Sequence, residues 1–357
     1  MRAIAALCVA TLHISQMLES SAGSGLWLLK FADDWQLGAF GVALFFIVSG
    51  FVIPASLSTR DSRADGLRTF AIRRFFRLYP AYWLSIPLVL WSIWWLQGRP
   101  IDLGTVAVNI TLFQRPLGFQ NIVNLYWTLS YELTFYLLCA ALYAVGLLHR
   151  PGVLIGVLYV LVAAFAAVAV LGLPGEGYLG FYTEMPTHLG LMFTGAVLRK
   201  WHDGERLGRW VKVALAIIVA LYVLPAARSF KFVDGQLMFH PTGGFSGGFA
   251  MLFFILFVMR FRLSHPLLSW LGSISYSVYL FHTVWAYFAA WLLARPGLEW
   301  ARGWDLTVYW ALILSVTIVF SAAVYHWLEL PMIALGRRLT RRPNAGPTGM
   351  TAEAAAP

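Results

Sequence analysis

Two residues of the first apolar segment could bind and react with one long ligand. Arg2 and His13 lie in a largely apolar run from Met1 to Leu18, and eleven positions separate them. In an α-helix this separation is about three turns, so both side chains project from one face, about 16 Å apart along the axis. If the helix enters the bilayer at Arg2, His13 lies near the middle of the ~30 Å hydrocarbon layer. The pair indicates a ligand with an anionic head at the membrane surface and a reactive end at mid-membrane.

A second basic feature lies at the start of the third predicted helix. The sequence from Arg73 to Pro80 reads R-R-F-F-R-L-Y-P, which places Arg74 and Arg77 one helical turn apart on one face. Two guanidinium groups at this spacing can clamp a phosphate. A plain anchor at the cytoplasmic surface explains the same spacing equally well. With Arg2, these two arginines are our candidate binding residues for a phosphate-bearing co-substrate.

Ionisable side chains inside predicted membrane segments are costly, which makes them candidates for function. Glu132 lies about five residues inside the outer end of its segment, where it could orient a histidine or bind an acceptor hydroxyl. A structural bond between helices is the alternative. His282 ends a stripe with Tyr276 and Tyr279 at every third position, and a buried structural histidine explains it as well as catalysis does. We predict His13, Glu132 and His282 as the catalytic residues.

Other polar groups in apolar segments are weaker candidates. His188 lacks a patterned neighbour, and Glu329, close to the inner end of the last segment, is best explained as a paired or snorkelling carboxylate. Cys8 and Cys139 lie inside apolar segments and do not form a disulfide framework. The sequence contains no metal-ligand cluster, P-loop or dinucleotide motif, so no metal site is predicted.

The composition excludes a soluble protein. Of the 357 residues, 60% are hydrophobic and 12% charged, and the mean hydropathy is +0.71. The sequence therefore predicts an all-α, polytopic transmembrane bundle of about ten spanning helices in a lipid bilayer. The ten apolar segments cover residues 2–18, 38–57, 75–97, 125–148, 152–172, 180–199, 211–227, 244–260, 270–293 and 306–330. The net charge of +10 lies in loops between them, which argues against a nucleic-acid partner.

The positive charges also predict the topology. With the N-terminus inside, nineteen of the 26 Lys and Arg residues fall on the inner side, which indicates an inner-membrane protein with both termini in the cytoplasm. Residues 1–336 are predicted to form the membrane domain, and the basic, then Pro-, Gly- and Ala-rich residues 337–357 a disordered cytoplasmic tail. A cleavable signal peptide is the rival interpretation of the first segment, although its polar end argues against cleavage.

Seven motifs, in order along the chain, resemble those of the acyltransferase-3 family of integral-membrane acyltransferases. They are Arg-x10-His at 2 and 13, G-V-A-L-F-F-I-V-S-G-F at 41–51, Arg-x-x-Arg at 74 and 77, L-Y-P at 78–80, W-T-L-S-Y-E-L-T-F-Y-L-L at 127–138, S-Y-S-V-Y-L-F-H at 275–282 and E-L-P at 329–331. Each motif is weak alone, and their common order makes the resemblance specific over residues 1 to about 340.

This resemblance implies a ten-helix domain that moves an acyl group, usually acetyl, from cytoplasmic acyl-coenzyme A to a hydroxyl. The acceptor is commonly a cell-envelope sugar or polysaccharide, so a carbohydrate or glycolipid partner is expected. The family's functional residues map onto Arg2 and His13, onto the Arg74 and Arg77 pair, and onto Glu132. His13 would act as general base on the acceptor or as a transient acyl carrier.

Two other functions remain open from the sequence. Some members of the family acylate macrolide antibiotics, so the acceptor could be a small molecule. A polytopic exporter without acyl transfer would also have about ten spans and buried ionisable groups. The sequence has no internal repeat of the kind that many transporters carry, which counts against the exporter.

Overall fold

The computed structural model describes residues 1–57, 62–100, 102–173, 177–206, 208–223, 230–233, 236–239, 243–261 and 265–341. This part of the chain is helical apart from loops and one two-stranded antiparallel hairpin. The helices are α1 (Arg2–Leu18), α2 (Trp27–Asp34), α3 (Leu37–Val52), α4 (Arg63–Val89), α5 (Leu103–Asn109), α6 (Trp127–Ala144), α7 (Pro151–Leu171), α8 (Gly177–His202), α9 (Arg209–Val223), α10 (Gly243–Phe254), α11 (Pro266–Leu293), α12 (Leu306–Val324) and α13 (Leu330–Leu339). The hairpin pairs β1 (Phe230–Val233) with β2 (Gln236–Phe239).

Each of the ten predicted segments contains a helix of at least 12 residues. The predicted and observed helices differ mainly in where they begin and end. The all-α prediction missed the β1–β2 hairpin and the two short helices α2 and α5. α4 begins twelve residues before the predicted segment, because Ser62 caps it: the Ser62 hydroxyl accepts a hydrogen bond from the Asp65 backbone N–H at 3.2 Å. This early start makes Arg63, Arg68 and Arg73 part of a rigid helix instead of a loop.

Within the described ranges, three helical stretches are long and apolar enough to cross a membrane, which supports the membrane assignment. They cover Arg2–Ser21, Leu37–Ser56 and Leu306–Leu339. In the last one, a π-helical turn at Tyr325–Glu329 joins α12 to α13 without a break. The helix continues past the predicted domain boundary at 336. Residues 342–357 of the predicted disordered tail lie outside the described residues, and that part stays a prediction.

α1 lies at the centre of the bundle, in contact with α3 on one side and α11 on the other. Most of its small residues, such as Ala5 and Ala10, are fully buried against these neighbours. Small side chains let helix backbones approach closely, as is usual in membrane bundles. The residues of α1 that carry chemistry are therefore held from two sides.

The C-terminal end of α1 is joined to α12 through the loops that flank the two helices. Asp305 caps α12 through the Thr307 backbone N–H at 2.9 Å and accepts a hydrogen bond from Ser24 at 3.0 Å. Bonds from the Thr307 hydroxyl and backbone, and then from Ser24, lower the pKa of the exposed Asp305 carboxyl. The carboxylate stays ionised at neutral pH and keeps the two loops together.

The contact between α3 and α8 depends on glycine. A Cβ atom added to Gly195 would lie 2.1 Å from the backbone oxygen of Ile47, and one added to Gly50 would lie 1.7 Å from that of Met192. Real side-chain atoms do not approach backbone oxygens this closely. The glycines thus set the spacing between the two helices that form one side of the bundle.

We expect Gly195→Ala to force α3 and α8 apart and to destabilise the protein by about 1–3 kcal/mol, the usual cost of overpacking. Gly156→Ala on α7 is the matched control, because a Cβ atom there meets nothing within 4 Å. Thermal unfolding of the purified variants in detergent measures both. Equal melting temperatures for the two variants would show that the α3–α8 contact can relax.

Candidate active site

His13 and His282 form a hydrogen-bonded pair between α1 and α11. The His13 Nδ1 atom lies 2.9 Å from His282 Nε2, and the two rings are parallel to within 6°. The ring centroids lie 5.2 Å apart, which exceeds the nitrogen–nitrogen distance by about two ring radii. The rings therefore meet edge to edge, as a hydrogen bond requires, and are not stacked.

The second nitrogen of His282 determines which atoms carry protons. His282 Nδ1 lies 3.1 Å from the backbone oxygen of Val278, and a carbonyl can only accept a hydrogen bond. Nδ1 of His282 therefore carries its proton, and neutral His282 accepts at Nε2 from the Nδ1–H of His13. This leaves the lone pair on His13 Nε2, which bonds to none of the described residues. The histidine pair therefore has one unprotonated nitrogen, His13 Nε2, that can act as a base.

His13 lies on the wall of a cavity of about 560 Å³, which we call the large cavity. Its other walls come from α3, the start of α6, helices α7 to α10, and Tyr279 of α11. The volume suits a drug-sized or monosaccharide-sized molecule. His282 is fully buried behind His13 and is absent from this wall, so it acts on a ligand only through His13.

The three predicted binding arginines lie together at the other end of α1. Arg2, Arg74 and Arg77, here the arginine cluster, line one small cavity of about 30 Å³, the basic cavity. Arg2 Nε donates to Ser275 Oγ at 3.3 Å, and Arg74 Nη2 donates to Ser56 Oγ at 2.9 Å. These neutral partners leave the positive charges of both guanidinium groups uncompensated by direct contact.

Arg77 has a buried acidic partner. Its Nη1 atom lies 2.5 Å from Glu329 Oε2, and Ser277 donates to the other carboxylate oxygen at 2.5 Å. Glu329 is only 2% exposed, so this is a paired carboxylate, which is one of the two explanations that the sequence favoured. Its contact with the arginine cluster was missed. The E-L-P motif alone gives no sign of it, because the two residues lie 252 positions apart.

Glu132 lies beside the arginine cluster and makes no described contact with His13 or His282. It accepts hydrogen bonds from Tyr136 at 2.6 Å and from Ser49 at 3.3 Å, and lines the basic cavity with Arg2. The sequence placed it in the outer half of the membrane by counting from Trp127. Trp127 itself lines the large cavity beside His13, so α6 starts deeper than its apolar pattern suggests.

Three adjacent cavities lie in a row from the arginine cluster to His13. A middle cavity of about 30 Å³ shares Arg2, Ser49, Glu132 and Tyr276 with the basic cavity, and Tyr279 with the large cavity. Tyr276 and Tyr279, the predicted stripe of α11, thus line the connection. Since α1 is unbroken, the distance from Arg2 to His13 along its axis is about 16 Å.

His188, a weak candidate from sequence, lies on the wall of the large cavity. Its ring is surrounded by Phe46, Trp127 and Tyr131 at centroid distances of 5.2, 5.0 and 4.6 Å. His188 Nε2 lies 3.8 Å from the half-exposed Glu184 carboxylate, one turn away on α8. Among the residues that the structure describes, no group of three or more metal-ligating side chains is found.

A family model described as an acyltransferase domain matches residues 1–326. The chain belongs to the acyltransferase-3 family. It is therefore an acyltransferase, and its apolar helices place it in a membrane.

Curated relatives extend this family assignment. The exopolysaccharide production protein ExoZ of Rhizobium meliloti is 27% identical over 340 residues, which cover 91% of this chain and 98% of ExoZ. The peptidoglycan O-acetyltransferase OatA of Listeria monocytogenes is 26% identical over 339 residues, or 84% of this chain and 52% of OatA. The acyltransferase MdmB of Streptomyces mycarofaciens is 30% identical over 148 residues, or 38% and 36% of the two chains. No solved structure matches.

For this acyltransferase we expect His282→Ala to lower kcat by about 10²–10⁴, because His13 loses the acceptor that holds its tautomer. KM for the acyl donor should stay unchanged. His282→Gln keeps a carbonyl acceptor and should restore part of the rate. The exposed His326→Ala is the matched control. Steady-state kinetics on purified enzyme measure these values, and equal rates for His282→Ala and His326→Ala would contradict the positioning role.

Proposed function

We propose that the protein transfers an acetyl group from cytoplasmic acyl-coenzyme A to a hydroxyl of a cell-envelope sugar or polysaccharide. The observation that carries this proposal is the row of cavities between the arginine cluster and the lone pair of His13. The relatives named for exopolysaccharide production and peptidoglycan O-acetylation support an envelope carbohydrate as acceptor.

The arginine cluster binds the phosphates of the coenzyme. Three guanidinium groups face two carboxylates, Glu132 and Glu329, so the basic cavity keeps a net positive charge. Arg2 also lies at the N-terminus of α1, where backbone N–H groups and the helix dipole favour an anion. The two carboxylates hold the arginines in place, and we assign Glu132 this positioning role as an alternative to direct catalysis.

The reaction takes place at His13. The pantetheine arm extends through the middle cavity and brings the thioester to the imidazole. Nε2 of His13 takes the proton of the acceptor hydroxyl while the hydroxyl oxygen attacks the carbonyl carbon of the thioester. The carbon–sulfur bond breaks, and the departing thiolate receives the proton from His13. His282 accepts the hydrogen bond from Nδ1 throughout and orients the ring.

The proposed topology follows the positive charges. Ten helices span the inner membrane, residues 1–336 form the membrane domain, and both termini lie in the cytoplasm. This orientation puts the arginine cluster on the side where coenzyme A is made, with the large cavity toward the envelope. The packing of α1 between α3 and α11 supports its retention in the mature protein.

The direct test is transfer of radiolabelled acetyl from acetyl-coenzyme A to envelope carbohydrate in membranes that contain the protein. We expect His13→Ala to abolish transfer and leave the amount of protein unchanged, because the base is lost. Normal transfer by this variant would overturn the proposal. Incubation without acceptor separates the two roles of His13: an acetylated His13 peptide in mass spectrometry indicates an acyl carrier, and an unmodified one a general base.

We expect Arg74→Ala to raise KM for acetyl-coenzyme A about 10- to 100-fold, the cost of one charge-assisted hydrogen bond to phosphate. kcat should change little. Arg209→Ala is the matched control, since Arg209 is exposed and stacks on Trp210 far from the cluster in sequence and on another helix. Initial rates at varied donor concentration measure both, and an unchanged KM in Arg74→Ala would identify Arg74 as a membrane anchor.

A further inference from the structure

One wall of the large cavity consists of apolar side chains. α7 contributes Leu158, Leu161, Val162 and Phe165, and no polar side chain of α7 lines the cavity among the described residues. A sugar hydroxyl pressed against this wall would lose its water and gain no hydrogen bond. The wall gains free energy only when it covers carbon surface. It therefore favours an alkyl chain or another apolar group on the acceptor.

A different wall, formed by α8 and the start of α6, combines aromatic and polar groups. Trp127 and His188 lie side by side with ring centroids 5.0 Å apart. Asn124, which comes shortly before Trp127 in the chain, also lines the cavity. An aromatic ring offers a flat apolar face, while an amide and an imidazole offer hydrogen bonds. This combination matches a sugar ring, which has one carbon–hydrogen face and a rim of hydroxyls. The wall can hold the sugar with a hydroxyl toward His13.

The charge of the large cavity restricts the acceptor further. None of its described lining residues is Lys, Arg, Asp or Glu. A carboxylate or phosphate inside would lose its hydration without meeting a cation, which is strongly unfavourable. The Glu184 carboxylate, 3.8 Å from His188, would also repel an anion at the polar wall. An uncharged acceptor is the one that this cavity can take.

We infer that the acceptor is a neutral glycoside with an apolar substituent, its sugar against Trp127 and His188 and its apolar part against α7. This inference rests on the proposed function and names the chemistry of the acceptor. A free, water-soluble polysaccharide would leave the hydrocarbon wall uncovered. An amphipathic glycolipid covers both walls, and its tail joins the surrounding bilayer.

The test measures binding of three synthetic probes to the full-length protein in lipid nanodiscs. The probes are octyl β-glucoside, methyl β-glucoside and octyl β-glucuronide. The first two differ in the apolar substituent, and the first and third differ in the charge of the sugar. Gly190→Leu provides the background, because a Cβ atom at Gly190 meets nothing within 4 Å and the residue lines the large cavity. Its side chain would project into the cavity and take space from a ligand. Gly156→Leu, on the exposed face of α7, is the matched control.

We expect octyl β-glucoside to bind the wild type and Gly156→Leu alike, and Gly190→Leu no better than empty nanodiscs. Methyl β-glucoside should bind about 10-fold weaker or worse, since it lacks the carbon surface that α7 covers. Octyl β-glucuronide should bind about 10-fold weaker or worse because of its charge. Trp127→Ala should weaken binding of octyl β-glucoside about 10-fold, and Trp127→Phe should restore most of it.

Several results would overturn the inference. One is equal affinity of the wild type for octyl β-glucoside and methyl β-glucoside, and another is equal affinity for octyl β-glucoside and octyl β-glucuronide. The others are unchanged binding of octyl β-glucoside by Gly190→Leu, and no binding of any probe. None of these results depends on acyl transfer. The probes are measured without an acyl donor, so failure of the acceptor inference is distinguishable from failure of the proposed function.

Discussion

The hydrogen bond between His13 and His282 is the contact on which the proposed mechanism depends. It joins α1 to α11 at the level of the large cavity, and the Val278 carbonyl behind it decides the protonation of both rings. A lone imidazole on α1 would have two tautomers and a free ring torsion. The pair removes both freedoms, because each nitrogen but one has a partner. The remaining one, Nε2 of His13, belongs to the ring that lines the large cavity.

Charge balance at the N-terminal end of α1 follows a related logic. Partly burying three guanidinium groups without carboxylates would be costly, while full neutralisation would leave no net charge to attract an anion. Glu329 pairs directly with Arg77, and Glu132 is held near Arg2 by Tyr136 and Ser49. The excess of one positive charge is spread over the cluster. Such a cluster suits an anionic ligand that is shared between several groups.

Sequence reasoning reached the features that depend on a single helix. Helical periodicity alone puts Arg2 and His13 on one face, Arg74 beside Arg77, and Tyr276 in line with Tyr279. The ten apolar segments likewise coincide with helices. That all ten cross the membrane is part of the proposed function. His13 and His282 were both predicted as catalytic residues, but no local pattern shows that these residues, 269 positions apart, are hydrogen-bonded to each other. Glu132 was placed too far outward for a physical reason: hydropathy marks where a helix starts along the chain, and not how deep in the bundle it starts.

The narrowness of the middle cavity has a consequence for the barrier function of the membrane. At about 30 Å³ it has room for no more than a few water molecules, and it is flanked by the rings of Phe45, Phe46 and Tyr279. A hydrated sodium or potassium ion cannot shed its water there without compensation. In the proposed topology, this neck keeps the bilayer electrically tight between turnovers.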